Sequence, residues 1–168
     1  MSSDEHSDGT DRREPAFVPL SYAQLESIVS SADFVDRASL GEYPIALPDD
    51  LFFRLIDDPE PAVRYRIAGQ HAATAAQLRR AGEDDFDLLE AMKYSPNAPA
   101  DALELRSIRT CHDGEPERYL SLRNATLVER RAFLELFERF LSDPDDEDDV
   151  TLGDVWTSMQ IYLAFPRG

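Results

Sequence analysis

The chain of 168 residues is predicted to be an all-α protein, in which short imperfect helical repeats stack as a solenoid fragment with a C-terminal helical pair as cap. Three observations predict this class. Apolar residues recur at helical spacing behind capping residues, proline and glycine interrupt them at short intervals, and one leucine-framed pattern occurs three times. Hydrophobic residues make up 42% of the chain, which is enough for a core, so we expect a folded domain.

The chain is expected to divide into a tail and one domain. Residues 1–14 are polar and acidic and lack apolar periodicity, which predicts a disordered tail. Residues 15–168 then form a single helical domain. It consists of a repeat region at 15–110 and a C-terminal cap at 111–168, and the cap contains the acidic loop 143–149.

The first helix is expected near residues 21–32, because Ser21 and Gln24 have the spacing of a capping box and Leu25 and Val29 share a helical face. The repeated pattern follows this helix. Its three copies run from Leu40 to Leu51, from Ile67 to Leu78 and from Met92 to Leu103. Their starts are 27 and then 25 residues apart, and a period of this size is typical of stacked repeat units.

Helix breakers separate the copies, so the region is expected to consist of short helices joined by turns. We expect helices from Pro48 to Asp58, from Pro61 to a left-handed cap at Gly69, from Thr74 to Gly82, from Asp84 or Asp85 to Met92, and a further one with Leu103 and Ile108. Units this small cannot bury an apolar face alone, so neighbouring units are expected to stack.

The run DDPEPAVRYRIAGQHAATAAQL, followed by LLEAMKYSPNAPADAL, resembles the leucine-rich repeat variant group within the HEAT-like helical repeats. The resemblance covers roughly residues 35–110. All three connectors depart from the Asn-Pro pattern of that group. The first reads Tyr43-Pro44, the second His71-Ala72-Ala73 and the third Ser95-Pro96-Asn97-Ala98-Pro99. The resemblance implies an interaction scaffold without intrinsic catalysis. A non-repetitive helical domain with accidental similarity is the alternative.

Beyond residue 110 the pattern changes. The segment CHDGEPE is typical of a turn, and residues 117–124 fit either a strand or a helix. Thr126 and Glu129 form another capping box, and they open the longest predicted helix. Apolar residues cover about half of its circumference, so it needs partners on two sides. A final helix is expected from the Thr151 capping box to the residue before Pro166.

The chain carries 34 acidic and 17 basic residues, a net charge of −17, and its pI is near 4.4. This balance disfavours nucleic acid and anionic membrane as partners, because both are negatively charged. A protein partner should therefore be basic or mixed in charge. Adaptation to a salt-rich cytoplasm would explain the same acidity and stays open as an alternative.

The sequence favours a cytoplasmic location. No apolar run approaches the ~20 residues that span a bilayer, and the first 15 residues lack the basic-then-apolar order of a secretory signal. The single cysteine, Cys111, excludes a disulfide within one chain and a four-cysteine zinc site.

Two segments contain residue types that occur in catalytic or metal-binding sites. Cys111, His112 and Asp113 are residue types of a nucleophilic site, but neighbours in an extended turn point apart, and the other candidate base, His71, lies on a distant connector. The acidic loop places oxygen-bearing side chains in the register of a twelve-residue calcium loop, with candidates Asp143, Asp145, Glu147, Asp149 and Asp154. The glycine of its sixth position and the glutamate of its twelfth are both missing. We therefore expect no enzyme and no cofactor, and keep a metal-responsive or enzymatic protein as the alternative.

Arginine and tyrosine concentrate binding energy at protein interfaces, and both occur around the middle repeat. The candidate partner-binding residues are Arg64, Tyr65, Arg66, Gln70, His71 and Tyr94. The alternative is a solvated rim whose arginines pair with Asp57, Asp58 or Glu60. Together these observations predict a non-enzymatic protein–protein interaction module, such as an adaptor, regulator or neutralising partner, that binds through a helical-repeat surface.

Overall fold

The computed structural model describes residues 17–83, 85–143 and 149–165. Over these ranges it is all-helical, with ten α-helices, two short 3-10 helices and no strand, which confirms the all-α class. The α-helices are α1 (Tyr22–Val29), α2 (Phe34–Ser39), α3 (Asp49–Ile56), α4 (Pro61–Ala68), α5 (Ala75–Ala81), α6 (Phe86–Met92), α7 (Ala100–Glu104), α8 (Glu115–Leu122), α9 (Leu127–Leu141) and α10 (Leu152–Ala164). The 3-10 helices are Leu40–Glu42 and Ile108–Thr110. The tail expected at 1–14 lies outside the described residues.

Local sequence starts four helices as expected. Ser21, Thr74, Thr126 and Thr151 each form a capping box with the residue three positions later. In each box the hydroxyl accepts the third backbone N–H of the helix, and the later side chain accepts the N–H of the cap. Of the two aspartates proposed for α6, Asp85 is the observed cap.

Three local expectations are corrected. Gly69 ends α4 in a right-handed conformation, with φ −80°, and so forms no left-handed cap. Leu103 and Ile108 lie on separate helices, because the chain turns between them. The ambiguous segment is helical, and α8 begins at Glu115, inside the expected turn, behind a left-handed Gly114 with φ 84°.

The first six α-helices form two rows. Helices α1, α3 and α5 contact one another in succession, and α2, α4 and α6 do the same, while α3 packs against α4 and joins the rows. The six residues that frame the sequence repeat are all buried, namely Leu40, Leu51, Ile67, Leu78, Met92 and Leu103. Stacked units would bury these positions, but the repeat type remains a prediction.

Side-chain amides join successive connectors. Gln70 Nε2 donates to the carbonyls of Leu40 and Tyr43 at 3.1 and 2.9 Å, and Gln77 Nε2 donates to that of Leu47 at 2.8 Å. One connector further on, Asn97 Nδ2 donates to Ala73 O at 2.9 Å. Each bond reaches back 24 to 30 residues, so carbonyls of one connecting segment find their donors in the next connector or, for Gln77, in the helix that follows it.

The C-terminal helices form the far end of the molecule. Helix α10 packs against α7 and α9, and Tyr119, Phe133 and Trp156 meet in an aromatic cluster with ring centroids 5.8 to 6.4 Å apart. Backbone bonds across the Ser107–Thr151 bridge fix the start of α10 to the segment before the second 3-10 helix. The expected closing pair, α9 and α10, is present.

Candidate protein-binding groove

A groove of about 580 Å³ opens between α2 and α4, and we call it the α2–α4 groove. Its wall residues come from the two helices and the adjoining 3-10 helix, and they are Phe34, Val35, Ala38, Ser39, Glu42, Ala62, Tyr65 and Arg66. Most of its lining is apolar. A surface depression of this kind can accept an apolar side chain of a partner.

Three large side chains of the groove are unusually exposed. Phe34 is 45% exposed, Val35 58% and Tyr65 39%. Phe34 and Val35 occupy the first turn of α2, where the side chain of Asp33 accepts the N–H of Val35 and starts the helix. A helix of six residues buries little of its own surface, so its apolar first turn stays open to solvent.

Two contacts fix the walls of the groove. Gly41 lies against α4 so closely that a Cβ there would stand 2.6 Å from the carbonyl oxygen of Arg66, and only glycine allows this approach. Arg37 on α2 forms a largely buried ion pair with Asp58, in the turn between α3 and α4, and it also donates to Ser31 O at 2.8 Å. The α2 wall is therefore held to both neighbouring turns.

Charge around the groove is close to balanced. Arg66 pairs with Glu42 at 2.6 Å, and both side chains are well exposed. Tyr65 also borders a second depression, lined by Asp87, Glu90 and Ala91 on α6, and its hydroxyl lies 3.4 Å from Asp87 Oδ2. Within the groove Glu42 and Arg66 balance each other, and in the second depression Glu90 pairs with Lys93 Nζ at 2.6 Å, so the negative charge left over in this region is that of Asp87.

The structure separates the predicted binding residues. Tyr65 and Arg66 line the α2–α4 groove. Arg64 faces a different depression and donates to the backbone carbonyls of Asp58 and Pro59 at 2.8 and 3.3 Å. Arg64 and Arg66 therefore lie on different faces of α4, as their spacing of two implies.

The remaining candidates are not part of the groove. Gln70 is fully buried, and its amide holds the preceding connector, so its assignment to a binding surface is corrected to a structural role. His71 and Tyr94 are exposed. The Tyr94 ring lies under the guanidinium of Arg106, which is 4.5 Å from its centroid.

The apolar groove residues Phe34, Val35 and Ala62 were missed by the sequence analysis. Helix α2 is too short to show a 3.6-residue period, so periodicity did not indicate a helix there. The signal that could have found it is Asp33 directly before two large apolar residues, since aspartate is a strong N-cap.

Cys111 has the environment of a structural thiol. Its Sγ donates to Ser107 O at 3.4 Å, and burial raises its pKa to about 11. A nucleophilic cysteine needs a lowered pKa, because the thiolate is the reactive form. The neighbouring His112 is exposed, and its backbone N–H donates to the Glu115 carboxylate at 2.8 Å.

The candidate calcium loop is described only in part. Asp145 and Glu147 lie outside the described residues, while Asp143 and Asp149 are exposed. Asp154 Oδ2 accepts hydrogen bonds from the backbone and the hydroxyl of Thr151, at 2.9 and 2.8 Å, so it serves as part of the α10 cap. Across 17–83, 85–143 and 149–165, no group of three or more potential ligands is placed to hold a metal ion.

Comparisons with known proteins give no match. No protein-family profile matches the chain, and none of the curated proteins or solved structures compared with it shows significant similarity. Within the described part of the chain, no helix has the length and apolar character needed to cross a membrane.

Proposed function

We propose that the chain is a non-enzymatic protein-binding module whose α2–α4 groove takes a cationic amphipathic segment of a partner protein. The observation that carries this proposal is the exposure of Phe34, Val35 and Tyr65 in one largely apolar groove. Exposed aromatic side chains beside a cavity are typical of interface anchors. The apolar side chains would contact the apolar face of the partner, and Asp87, in the adjoining depression, would face one of its basic residues.

The net charge of −17 supports the same partner class. A strongly acidic protein attracts cationic surfaces over distances of about one Debye length and speeds their encounter. The groove then supplies the short-range contact that selects among basic partners. Binding should therefore depend on salt through its association rate and on Phe34 through its dissociation rate.

The test uses two synthetic peptides of matched helical pattern, one of leucine and lysine and the other of leucine and glutamate. Amide chemical shifts of the labelled protein are followed as each peptide is added. The lysine peptide should perturb residues 34–42, 62–66 and 87–91, and the glutamate peptide should not. Equal binding of both peptides, or shifts confined to other regions, would contradict the proposal.

Phe86 offers a matched control for Phe34. Each is the first residue of a short α-helix behind an aspartate cap, and Phe86 is 62% exposed but is not part of the groove wall. Phe34→Ala should weaken lysine-peptide binding by about tenfold or more, since interface anchors carry that much energy. Phe86→Ala should change the affinity for the lysine peptide by no more than about twofold. If both variants lost the same affinity, the groove would not be the binding site.

A further inference from the structure

The depression between α4 and α6 shares one wall with the α2–α4 groove. Tyr65 lines both, and Asp87, Glu90 and Ala91 on α6 complete the depression, whose volume is about 430 Å³. We call it the α4–α6 depression. Helix α4 contacts α2 and also α6, so the groove and the depression follow one another along the same row of helices.

Asp87 is the one carboxylate of this surface without a basic partner in the part of the chain that the structure describes. Glu42 pairs with Arg66 and Glu90 with Lys93, both at 2.6 Å. Asp87 is exposed, and its Oδ2 lies 3.4 Å from the hydroxyl oxygen of Tyr65, which is long for a hydrogen bond between two oxygens. The depression therefore presents one uncompensated negative charge.

Tyr65 adds a second attraction for a cation. Lysine and arginine side chains are attracted to the face of a tyrosine ring when they come within about 6 Å of its centre. A basic side chain in the depression can approach both the Tyr65 ring and the Asp87 carboxylate, because these two groups lie side by side. A neutral or acidic side chain would gain neither contact.

We infer, building on the proposed function, that the α4–α6 depression is a subsite for one lysine or arginine side chain of the partner, and that Asp87 determines the preference for basic segments. The α2–α4 groove holds the apolar anchor of the segment. The net charge of −17 attracts any cationic molecule from a distance, but Asp87 acts at short range and depends on where the basic residue stands in the segment.

The spacing of the two sites sets the register of the partner segment. Axes of packed helices are roughly 8–10 Å apart, so the depression lies about that far from the groove. In an α-helix, residues seven positions apart are separated by about 10.5 Å and lie on one face. In a β-strand, residues three apart cover about the same distance but point to opposite faces. A helical segment with an apolar residue at position i in the groove thus places its residue i+7 over Asp87.

Two helical peptides of identical composition test the inference on the full chain. Each has leucine at positions i−4 and i, one lysine, and alanine or glutamine elsewhere. The lysine stands at i+7 in the first peptide and at i+5, largely on the other side of the helix, in the second. Their net charges are equal, so long-range attraction is equal too. Titration calorimetry should show about fivefold tighter binding of the first peptide, since an exposed ion pair and a cation–π contact contribute about that much.

Asp87→Asn should bind the two peptides with equal affinity. Asp149→Asn removes the same charge from an exposed position before α10, and this variant should keep the preference for the first peptide. Asp87→Lys should reverse the charge requirement. When glutamate replaces lysine in both peptides, this variant should bind the i+7 form about fivefold more tightly than the i+5 form. No preference in the unaltered chain, or a preference that survives in Asp87→Asn, would overturn the inference.

Phe34→Ala separates failure of the subsite from failure of the groove. It should weaken binding of both lysine peptides by about tenfold or more, because both use the same apolar anchor. If it does so while the unaltered chain shows no preference between the peptides, the groove stands and the subsite is wrong. If Phe34→Ala weakens neither peptide, the proposed function itself is wrong.

Discussion

The guanidinium of Arg37 donates to both carboxylate oxygens of Asp58, from Nε to Oδ2 at 2.7 Å and from Nη2 to Oδ1 at 3.0 Å. Asp58 is 6% exposed, and its Oδ1 also accepts the backbone N–H of Glu60 at 2.9 Å. This pair joins α2 to the turn between α3 and α4. It thereby sets the position of one wall of the α2–α4 groove.

The pair predicts a loss of stability in acid. The hydrogen bonds from Arg37 hold the pKa of Asp58 below its ordinary value of 3.8, so this contribution is present above that value and is lost as the pH falls through the folded-state pKa. Between about pH 5 and pH 2 the urea midpoint of the unaltered chain should fall more than that of Asp58→Asn. Asp149→Asn changes an exposed carboxylate, so the urea midpoint of that variant should fall by as much as the midpoint of the unaltered chain. The prediction would be contradicted if the urea midpoint of Asp58→Asn fell as much as that of the unaltered chain.

Two glycines with equally close neighbours should respond differently to alanine. A Cβ at Gly41 would meet the backbone oxygen of Arg66 at 2.6 Å, and a Cβ at Gly82 would meet a terminal methyl of Leu89 at 2.6 Å. Backbone cannot move aside without shifting α4, whereas the end of a leucine side chain can rotate. Gly41→Ala should cost about 1–3 kcal/mol in the free energy of unfolding, and Gly82→Ala less than about 1 kcal/mol.

Urea unfolding followed by circular dichroism measures both glycine variants. Gly41→Ala should also weaken binding of the lysine peptide, because the 3-10 helix that carries Glu42 would move away from α4. If the two variants lost equal stability, the close approach of Gly41 to α4 would not be the cause.

Cys111 should react slowly with alkylating agents in the folded protein. Burial raises its pKa from the ordinary 9.0 to about 11, so near neutral pH the folded state holds about one-hundredth of the thiolate that the unfolded state holds. Iodoacetamide labelling, followed by mass spectrometry with and without urea, should show a rate difference of about this size. Rapid labelling of the folded chain would contradict the burial and would restore the catalytic alternative.

The extent to which sequence alone could predict the fold is clearest at the helix starts. Thr74 and Gln77, or Thr126 and Glu129, satisfy each other through bonds that span three residues, so their geometry needs nothing from the rest of the chain. The prediction of a left-handed cap at Gly69 was wrong, because the sequence shows only which conformations a residue permits. Glycine permits that conformation, but tertiary contacts decide whether the chain uses it.

The binding residues show the opposite case. Gln70 and Arg66 both looked like surface anchors, yet one is buried under the preceding connector and the other is paired at the groove. For Phe34 the one signal was the aspartate cap before it, which indicates a helix start but not an exposed side chain. Whether a polar or apolar side chain faces solvent depends on which helices pack beside it, and that packing joins residues 20 or more positions apart.

The sequence by itself determined the helical class, the capped starts of the helices and the acidic charge, because these depend on neighbours within a few residues or on composition alone. The tertiary structure decided which apolar residues stay exposed. Phe34 lies in a groove because α2 and α4 meet there, and Leu127 is uncovered because α10 packs on the other side of α9. The exposure of a side chain depends on how the helices pack, so the candidate surfaces could be identified only from the tertiary structure.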